Sequence, residues 1–206
     1  MAKRQIAFVH GGDTFPDQES FLAFLKTAVP REPFWSPDAS PRWRETLARR
    51  FSDRCEIMMP SMPNKQSARY DEWSLWFESH IPFLRDGVIL VGHSLGGIFL
   101  AKYLSERTLP VRIDALALVA APFDDETNES LGDFILSEDL GKVSKQSGTI
   151  ILYHSEDDPV VPFTELAKYA RAFPDAEAIT LGGRGHFLDS DFPELSERIK
   201  NIIESD

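Results

Sequence analysis

The segment that most constrains the fold of this chain is the pentapeptide Gly92-His93-Ser94-Leu95-Gly96. It directly follows an apolar run, Val88 to Val91, and it opens an amphipathic helical segment. A G-x-S-x-G sequence between a strand and a helix predicts a sharp, strained turn with the serine at its tip. The glycines at 92, 96 and 97 have no side chain, whereas a side chain at these positions would crowd the turn. We therefore expect Ser94 to be a nucleophile; the alternative is an ordinary glycine-rich turn.

A serine hydroxyl needs a base, and the base needs a third group that orients it. The apolar run 149–154 predicts a strand, and it is followed at once by Asp157 and Asp158. A last short strand at 178–181 precedes a glycine-rich loop that carries His186. The chain order Ser94, Asp158, His186 is the order found in α/β-hydrolases, and it differs from the chymotrypsin and subtilisin orders.

The acid and the base each have a simpler interpretation. Asp157 and Asp158 are also suited to cap the helix that begins near Pro162, and a single loop histidine is often only solvated. The remaining histidines are placed less well, because they fall on strands, in a helix or inside the elbow: His10, His80, His93 and His154. His186 alone follows the acid on a loop, so the pattern favours it as the base.

A tetrahedral intermediate needs two backbone N–H donors for its negative oxygen. Residues 5–10 predict a first strand, and the turn Gly11-Gly12-Asp13-Thr14 follows it. We expect one donor to be the amide of Gly12, or of Asp13 one residue on, and the second to be the amide of Leu95. The alternative is a plain glycine turn.

Composition limits the classes of protein that remain. The 206 residues, 42% of them hydrophobic, suit one domain, 1–206, with a single large core. A net charge of −11 argues against a nucleic-acid partner. The apolar run at 6–9 is too short for a signal sequence, no segment approaches a membrane span, and Cys55 is the only cysteine. We expect a cytoplasmic protein without a membrane partner; the sequence does not indicate an oligomeric state.

Cofactor chemistries have their own sequence signatures, and these are missing. The turn after the first strand is not G-x-G-x-x-G, Gly141-Lys142 lacks the rest of a phosphate-binding loop, and no histidine pair has metal-ligand spacing. We therefore expect no cofactor and no metal.

Strands and helices alternate along the chain, which predicts parallel βαβ units. Right-handed crossovers then predict an α/β fold with a six-stranded, mostly parallel, doubly wound sheet in the order 2-1-3-4-5-6, with helices on both faces. The predicted strands are 6–10, 56–59, 88–93, 114–120, 149–154 and 178–181. The predicted helices are 42–52, 70–81, 95–107, 137–146, 163–173 and 192–204, with a short one at 18–27.

Four stretches of the chain are notable together: Met62-Pro63-Asn64, residues 68–73 (A-R-Y-D-E-W), residues 92–97 and Gly185-His186-Phe187. They resemble the small serine hydrolases of the retinoblastoma-binding protein nine and YdeN family, and the likeness covers roughly residues 42–204. The resemblance implies an α/β-hydrolase without a large cap, with Ser94, Asp158 and His186 in the triad positions. It favours Asp158 over Asp157, because the acid of such enzymes commonly precedes a tail like Pro159-Val160-Val161-Pro162.

The first loop departs from that resemblance, because residues 13–41 are longer than the family's usual segment. We expect either a partial lid over the substrate pocket, with Asp13, Phe34 and Trp35 lining it, or a helix packed on the core. The predicted activity is hydrolysis of a small-molecule ester, or of a thioester or amide, by way of an acyl-enzyme. The competing interpretation is a silent protein-interaction module that keeps a hydrolase fold.

Overall fold

A six-stranded sheet organises the chain in a computed structural model, which describes residues 3–28, 41–125, 130–137 and 139–205. All five strand pairings are parallel. The spatial order is β2-β1-β3-β4-β5-β6, so the predicted order is confirmed. The strands are β1 (Arg4–Val9), β2 (Cys55–Met58), β3 (Val88–His93), β4 (Ile113–Val119), β5 (Ser147–Ser155) and β6 (Glu177–Leu181).

Seven α-helices lie between or after these strands within the described ranges. They are α1 (Gln18–Thr27), α2 (Trp43–Phe51), α3 (Tyr70–His80), α4 (Leu95–Glu106), α5 (Gly141–Gln146), α6 (Thr164–Ala172) and α7 (Pro193–Glu204). Side chains of α3 to α6 share one buried core, and those of α2 and α7 share the other. Among these helices and in the rest of the described chain, none is long and apolar enough to cross a bilayer.

The alternation of side chains along the strands explains the two cores. In β1, Ile6 and Phe8 belong to the core under α2 and α7, whereas Ala7 and Val9 belong to the core under α3 to α6. Successive strand residues point to opposite faces, and both faces of a parallel sheet are covered by helices. All six residues of β3 are buried for this reason.

The predicted helix at 137–146 is shorter than expected. Helix α5 begins only at Gly141, because the Asp139 carboxylate accepts a hydrogen bond from the Gly141 N–H at 2.8 Å. Such a local turn competes with helical hydrogen bonding. Two short 3₁₀ segments, Ile81–Phe83 and Gly132–Phe134, were not expected. The second buries Phe134 against the rings of Tyr70 and Trp73.

Helix α1 has the bounds that the sequence predicts, and Asp17 caps it by accepting a hydrogen bond from the Ser20 N–H at 2.7 Å. None of its residues is buried, so the alternative of a helix packed into the core is wrong. Residues 29–40 lie outside the described part of the chain, and with them Phe34 and Trp35. A lid at 13–41 therefore stays a prediction.

The sheet order determines which loops meet. Strands β1 and β3 are neighbours, with Val9 paired to Gly92, so the turn after β1 and the start of α4 leave the same edge of the sheet. The loops after β5 and β6 leave that edge too, because every pairing is parallel. The carboxyl edge of a parallel sheet is where ligands bind in such folds.

Candidate active site

Ser94 lies in the strained turn that the sequence predicts. Its φ of 54° and ψ of −125° fall in a region that non-glycine residues rarely adopt. Close packing supports the turn: a Cβ added to Gly96 would lie 2.3 Å from the Val9 carbonyl oxygen, and one added to Gly97 would lie 2.6 Å from Ala121 Cβ. The Ser94 N–H donates to the Val119 carbonyl at 2.8 Å, which ties the turn to β4.

His186 and Asp158 are hydrogen bonded to each other. His186 Nδ1 lies 2.8 Å from Asp158 Oδ2 and 3.1 Å from Oδ1. Both side chains are buried, with 9% of the imidazole and 0% of the carboxylate exposed. The contact uses Nδ1, so Nε2 is the ring nitrogen left to face a substrate.

The Asp158 carboxylate is held in its charged form. Burial by itself raises the pKa of this carboxyl, but the hydrogen bond and charge of His186 and the Val160 and Val161 N–H groups outweigh burial and lower it. Those two amides donate to Asp158 Oδ1 at 2.8 and 3.0 Å. His154 lies 3.9 Å from Oδ2, and because burial lowers its pKa, it is neutral there. Asp158 is thus an acceptor fixed in one orientation.

Ser94 and His186 line one open cavity of about 970 Å³ at the carboxyl edge of the sheet. Within the described chain no hydrogen bond joins the Ser94 hydroxyl to the imidazole. In ligand-free sites such contacts are often long and shorten only when substrate binds. Asp13, which the sequence places in the pocket, also lines this cavity.

The turn after β1 packs directly against the serine. A Cβ added to Gly11 would lie 3.0 Å from Ser94 Cβ and 3.5 Å from its Oγ. The Asp13 N–H donates to the Lys65 carbonyl at 2.8 Å, so Asp13 is not available as the alternative oxyanion donor. The Gly12 and Leu95 amides have no acceptor among the described residues. Both residues border a second, small pocket of about 20 Å³ beside Ser94.

His93 and Trp43 hold the loop that carries His186, a role that sequence reasoning missed. The carbonyl oxygens of His186 and Phe187 accept hydrogen bonds from His93 Nε2 and Trp43 Nε1, each at 2.9 Å. The backbone N–H of Trp43 also donates to the Asp189 carbonyl at 3.0 Å. The one sequence signal for this arrangement is the position of His93 inside the elbow, next to Ser94.

Asp157 binds the backbone of the same loop through hydrogen bonds. Its Oδ1 accepts hydrogen bonds from the Ser155 hydroxyl at 2.5 Å and from the Gly183 and Gly185 N–H groups at 3.0 and 3.2 Å. The structure therefore brings Asp158, and not Asp157, into contact with His186. In the described ranges no group of three or more His, Cys, Asp or Glu side chains is placed to hold a metal ion.

Comparison with known proteins agrees with this architecture. Serine hydrolase RBBP9 of Rattus norvegicus is 28% identical over 151 residues, which cover 72% of this chain and 78% of that protein. The YdeN protein of Bacillus subtilis is 26% identical over 152 residues, 72% of this chain and 80% of the relative. The crystal structure of the ydeN gene product from that organism superimposes with a TM-score of 0.75 at 21% identity, and it covers 98% of both chains.

These matches confirm the predicted resemblance and the α/β-hydrolase fold. The family model described as serine hydrolase matches residues 33–202, a range slightly shifted from the 42–204 that the motifs indicate. The match includes β2 to β6, the elbow and the loop that carries His186. This chain therefore belongs to the serine hydrolase family.

Proposed function

We propose that this serine hydrolase cleaves small carboxylic esters through Ser94, His186 and Asp158. The observation that carries the proposal is the contact of His186 Nδ1 with Asp158 Oδ2 at 2.8 Å, on the cavity that Ser94 also lines. This contact places the proton on Nδ1, so Nε2 is free to accept a proton from a hydroxyl group. Among esters, thioesters and amides we favour an ester, because it is the simplest substrate for such a site.

The reaction has two halves. Ser94 Oγ attacks the acyl carbon while His186 Nε2 takes the hydroxyl proton, and the Asp158 carboxylate stabilises the imidazolium. The proton then passes to the leaving alkoxide, and an acyl-enzyme and an alcohol result. Water attacks the acyl-enzyme with His186 again as base, which releases the carboxylic acid and restores Ser94.

Backbone amides supply the oxyanion donors in this proposal. The Gly12 and Leu95 N–H groups flank Ser94 and have no acceptor in the described chain. A donor aimed at the developing charge is worth about 3–4 kcal/mol of the activation barrier. No side chain is needed for this role.

Two cavities next to Ser94 have room for different parts of the substrate. The pocket next to Gly12 and Leu95 measures about 20 Å³, which is the space of about one water molecule or one methyl group. The cavity of about 970 Å³ also borders Ser94. We assign the acyl group to the small pocket and the leaving group to the wide cavity, so short acyl chains are the expected substrates.

A fluorophosphonate probe that reacts with activated serines tests the proposal. The native protein should be labelled, and Ser94→Ala should lose labelling and at least about 10³-fold of its turnover of p-nitrophenyl acetate. Ser79→Ala, an exposed serine of α3 that lines neither cavity, is the matched control and should behave like the native protein. A folded native protein that is neither labelled nor active would instead favour the silent interaction module.

A further inference from the structure

The wide cavity carries a cluster of positive side chains. Arg42, Arg44 and Lys65 all line it, together with Ser94 and His186. The whole chain has 33 acidic and 22 basic residues, so a group of three cations beside the active-site serine runs against the overall charge. Among the described residues none of the three forms an ion pair, although most other arginines there do.

Arg44 is the half-buried member of this cluster, whereas Arg42 and Lys65 are exposed. Burial is the main reason for the lowered pKa of its guanidinium; Glu45 acts in the opposite direction and Arg42 in the same one. Burial is the main cause of the lowered pKa of both His10 and His93, and the charge of Arg44 lowers both pKa values further. The Arg44 guanidinium therefore acts electrostatically on the turn after β1 and on the elbow at the same time.

The neighbouring carboxylates form no ion pair with this guanidinium. Glu45 follows Arg44 in α2 without an ion pair to it, and the Asp13 carboxylate, which lines the cavity, forms no ion pair with any of the three cations in the described structure. Burial raises the pKa of Asp13, which disfavours its charged form. A half-buried guanidinium that forms no ion pair within the described protein is suited to bind an anion in the cavity that it lines.

We infer that the wide cavity binds an anionic group, a carboxylate or phosphate, on the leaving-group side of the substrate, with Arg44 as its principal contact and Lys65 and Arg42 at the rim. This inference rests on the proposed esterase function, since it names the substrate class of that site. A guanidinium can bind either anion through two parallel hydrogen bonds, whereas an ammonium cannot. The substrate is thus a short-chain acyl ester of an alcohol or phenol that carries a carboxylate or phosphate group.

The test compares aryl acetates of similar size, two of them anionic and one uncharged. The substrates are 4-acetoxybenzoate, its uncharged methyl ester and 4-acetoxyphenyl phosphate. In Arg44→Met the KM for an anionic ester, divided by the KM for the methyl ester, should rise about 10-fold, the value of one charge-assisted hydrogen bond. Arg44→Lys should recover part of the loss. Arg49→Met, an exposed arginine in the last turn of the same helix, is the control and should leave the ratio at its native value.

A binding measurement separates this inference from the esterase proposal. Calorimetric titration with 4-hydroxybenzoate, 4-hydroxyphenyl phosphate and methyl 4-hydroxybenzoate needs no turnover. Weaker binding of either anion to Arg44→Met, with a native melting temperature, supports the inference even if no ester is cleaved. The anion that binds more tightly to the native protein identifies the group as a carboxylate or a phosphate. An unchanged ratio and unchanged anion binding, or equal losses for charged and uncharged compounds, would overturn it.

Discussion

The Nε2 atom of His93 lies 2.9 Å from the carbonyl oxygen of His186, so the residue before the elbow serine holds the backbone of the proposed base. A carbonyl oxygen only accepts, and therefore His93 is the donor and carries its proton on Nε2. The centroids of the two rings are 5.0 Å apart, and the Trp43 ring is perpendicular to that of His93 with 5.9 Å between centroids. One buried hydrogen bond thus connects the two halves of the proposed reaction centre.

Removing this donor should impair catalysis more than binding. In His93→Leu the His186 carbonyl stays buried without a donor, at a cost of about 1–3 kcal/mol, and the imidazole shifts. We expect kcat for p-nitrophenyl acetate to fall about 10-fold or more with KM little changed. His93→Gln, which keeps an N–H group at a similar reach, should recover most of kcat. Equal kcat values for both variants would show that the hydrogen bond does not position His186.

The buried histidines make stability depend on pH. Burial, followed by the nearby His186, lowers the pKa of His93 to about 3, whereas an unfolded histidine titrates near about 6.5. Between those values the unfolded chain takes up a proton that native His93 does not. The contribution of His93 to stability is complete above about pH 6.5 and is lost as the pH falls toward about 3, by up to about 1.4 kcal/mol per unit. His10 and His154, with pKa values also lowered, add in the same direction.

Urea unfolding at pH 7.5, 6 and 5 measures this dependence. The free energy of unfolding of the native protein should decrease toward pH 5, and that of His93→Gln should decrease less steeply. Asp158 and Arg44, the other charged groups that act on His93, are unchanged between the two proteins. Parallel slopes for the two proteins would contradict the assignment.

The adjacent carboxylates should differ in their effect on turnover. Asp158→Asn replaces an acceptor that faces N–H donors on both oxygens, so His186 would adopt the wrong tautomer, and kcat should fall by roughly 10⁴-fold. Asp157→Asn keeps an amide oxygen for the Gly183 and Gly185 N–H groups, and a loss of only a few-fold is expected. The measurement is kcat of each variant. A more severe loss in Asp157→Asn would show that loop geometry outweighs the contact with His186.

The small pocket should limit acyl length. Leu131, 4% exposed, forms part of its wall, so Leu131→Ala should enlarge it. The native kcat/KM should fall at least about 10-fold from p-nitrophenyl acetate to the butyrate, since each methylene is worth about 1–3 kcal/mol in a closed pocket. The variant should reduce that ratio. Ile135→Ala, an exposed residue outside the pocket lining, serves as control, and a length profile that Leu131→Ala leaves unchanged would place the acyl group elsewhere.

Local sequence was sufficient to predict the positions of the strands and most helices. The apolar run of β3 and the glycines at 92, 96 and 97 predict the Ser94 turn, because a strand that turns sharply into a helix needs small residues where backbone meets backbone. The sheet order followed from the strand and helix alternation together with the handedness of crossovers. The exception, the predicted start of α5, arose because the Asp139 side chain competes locally with the helix.

The amino-acid sequence by itself thus determined the fold, the serine turn and the order of the three proposed catalytic side chains, because each depends on periodicity or on neighbours along the chain. Tertiary structure alone decided that Asp157 binds the backbone of the His186 loop, that the Asp13 amide is not free, and that His93 and Trp43 hold the loop. Those contacts join residues that are distant in the chain, up to 146 positions for Trp43 and Asp189. No local pattern encodes the distance between such atoms, because it depends on how the sheet and its helices pack.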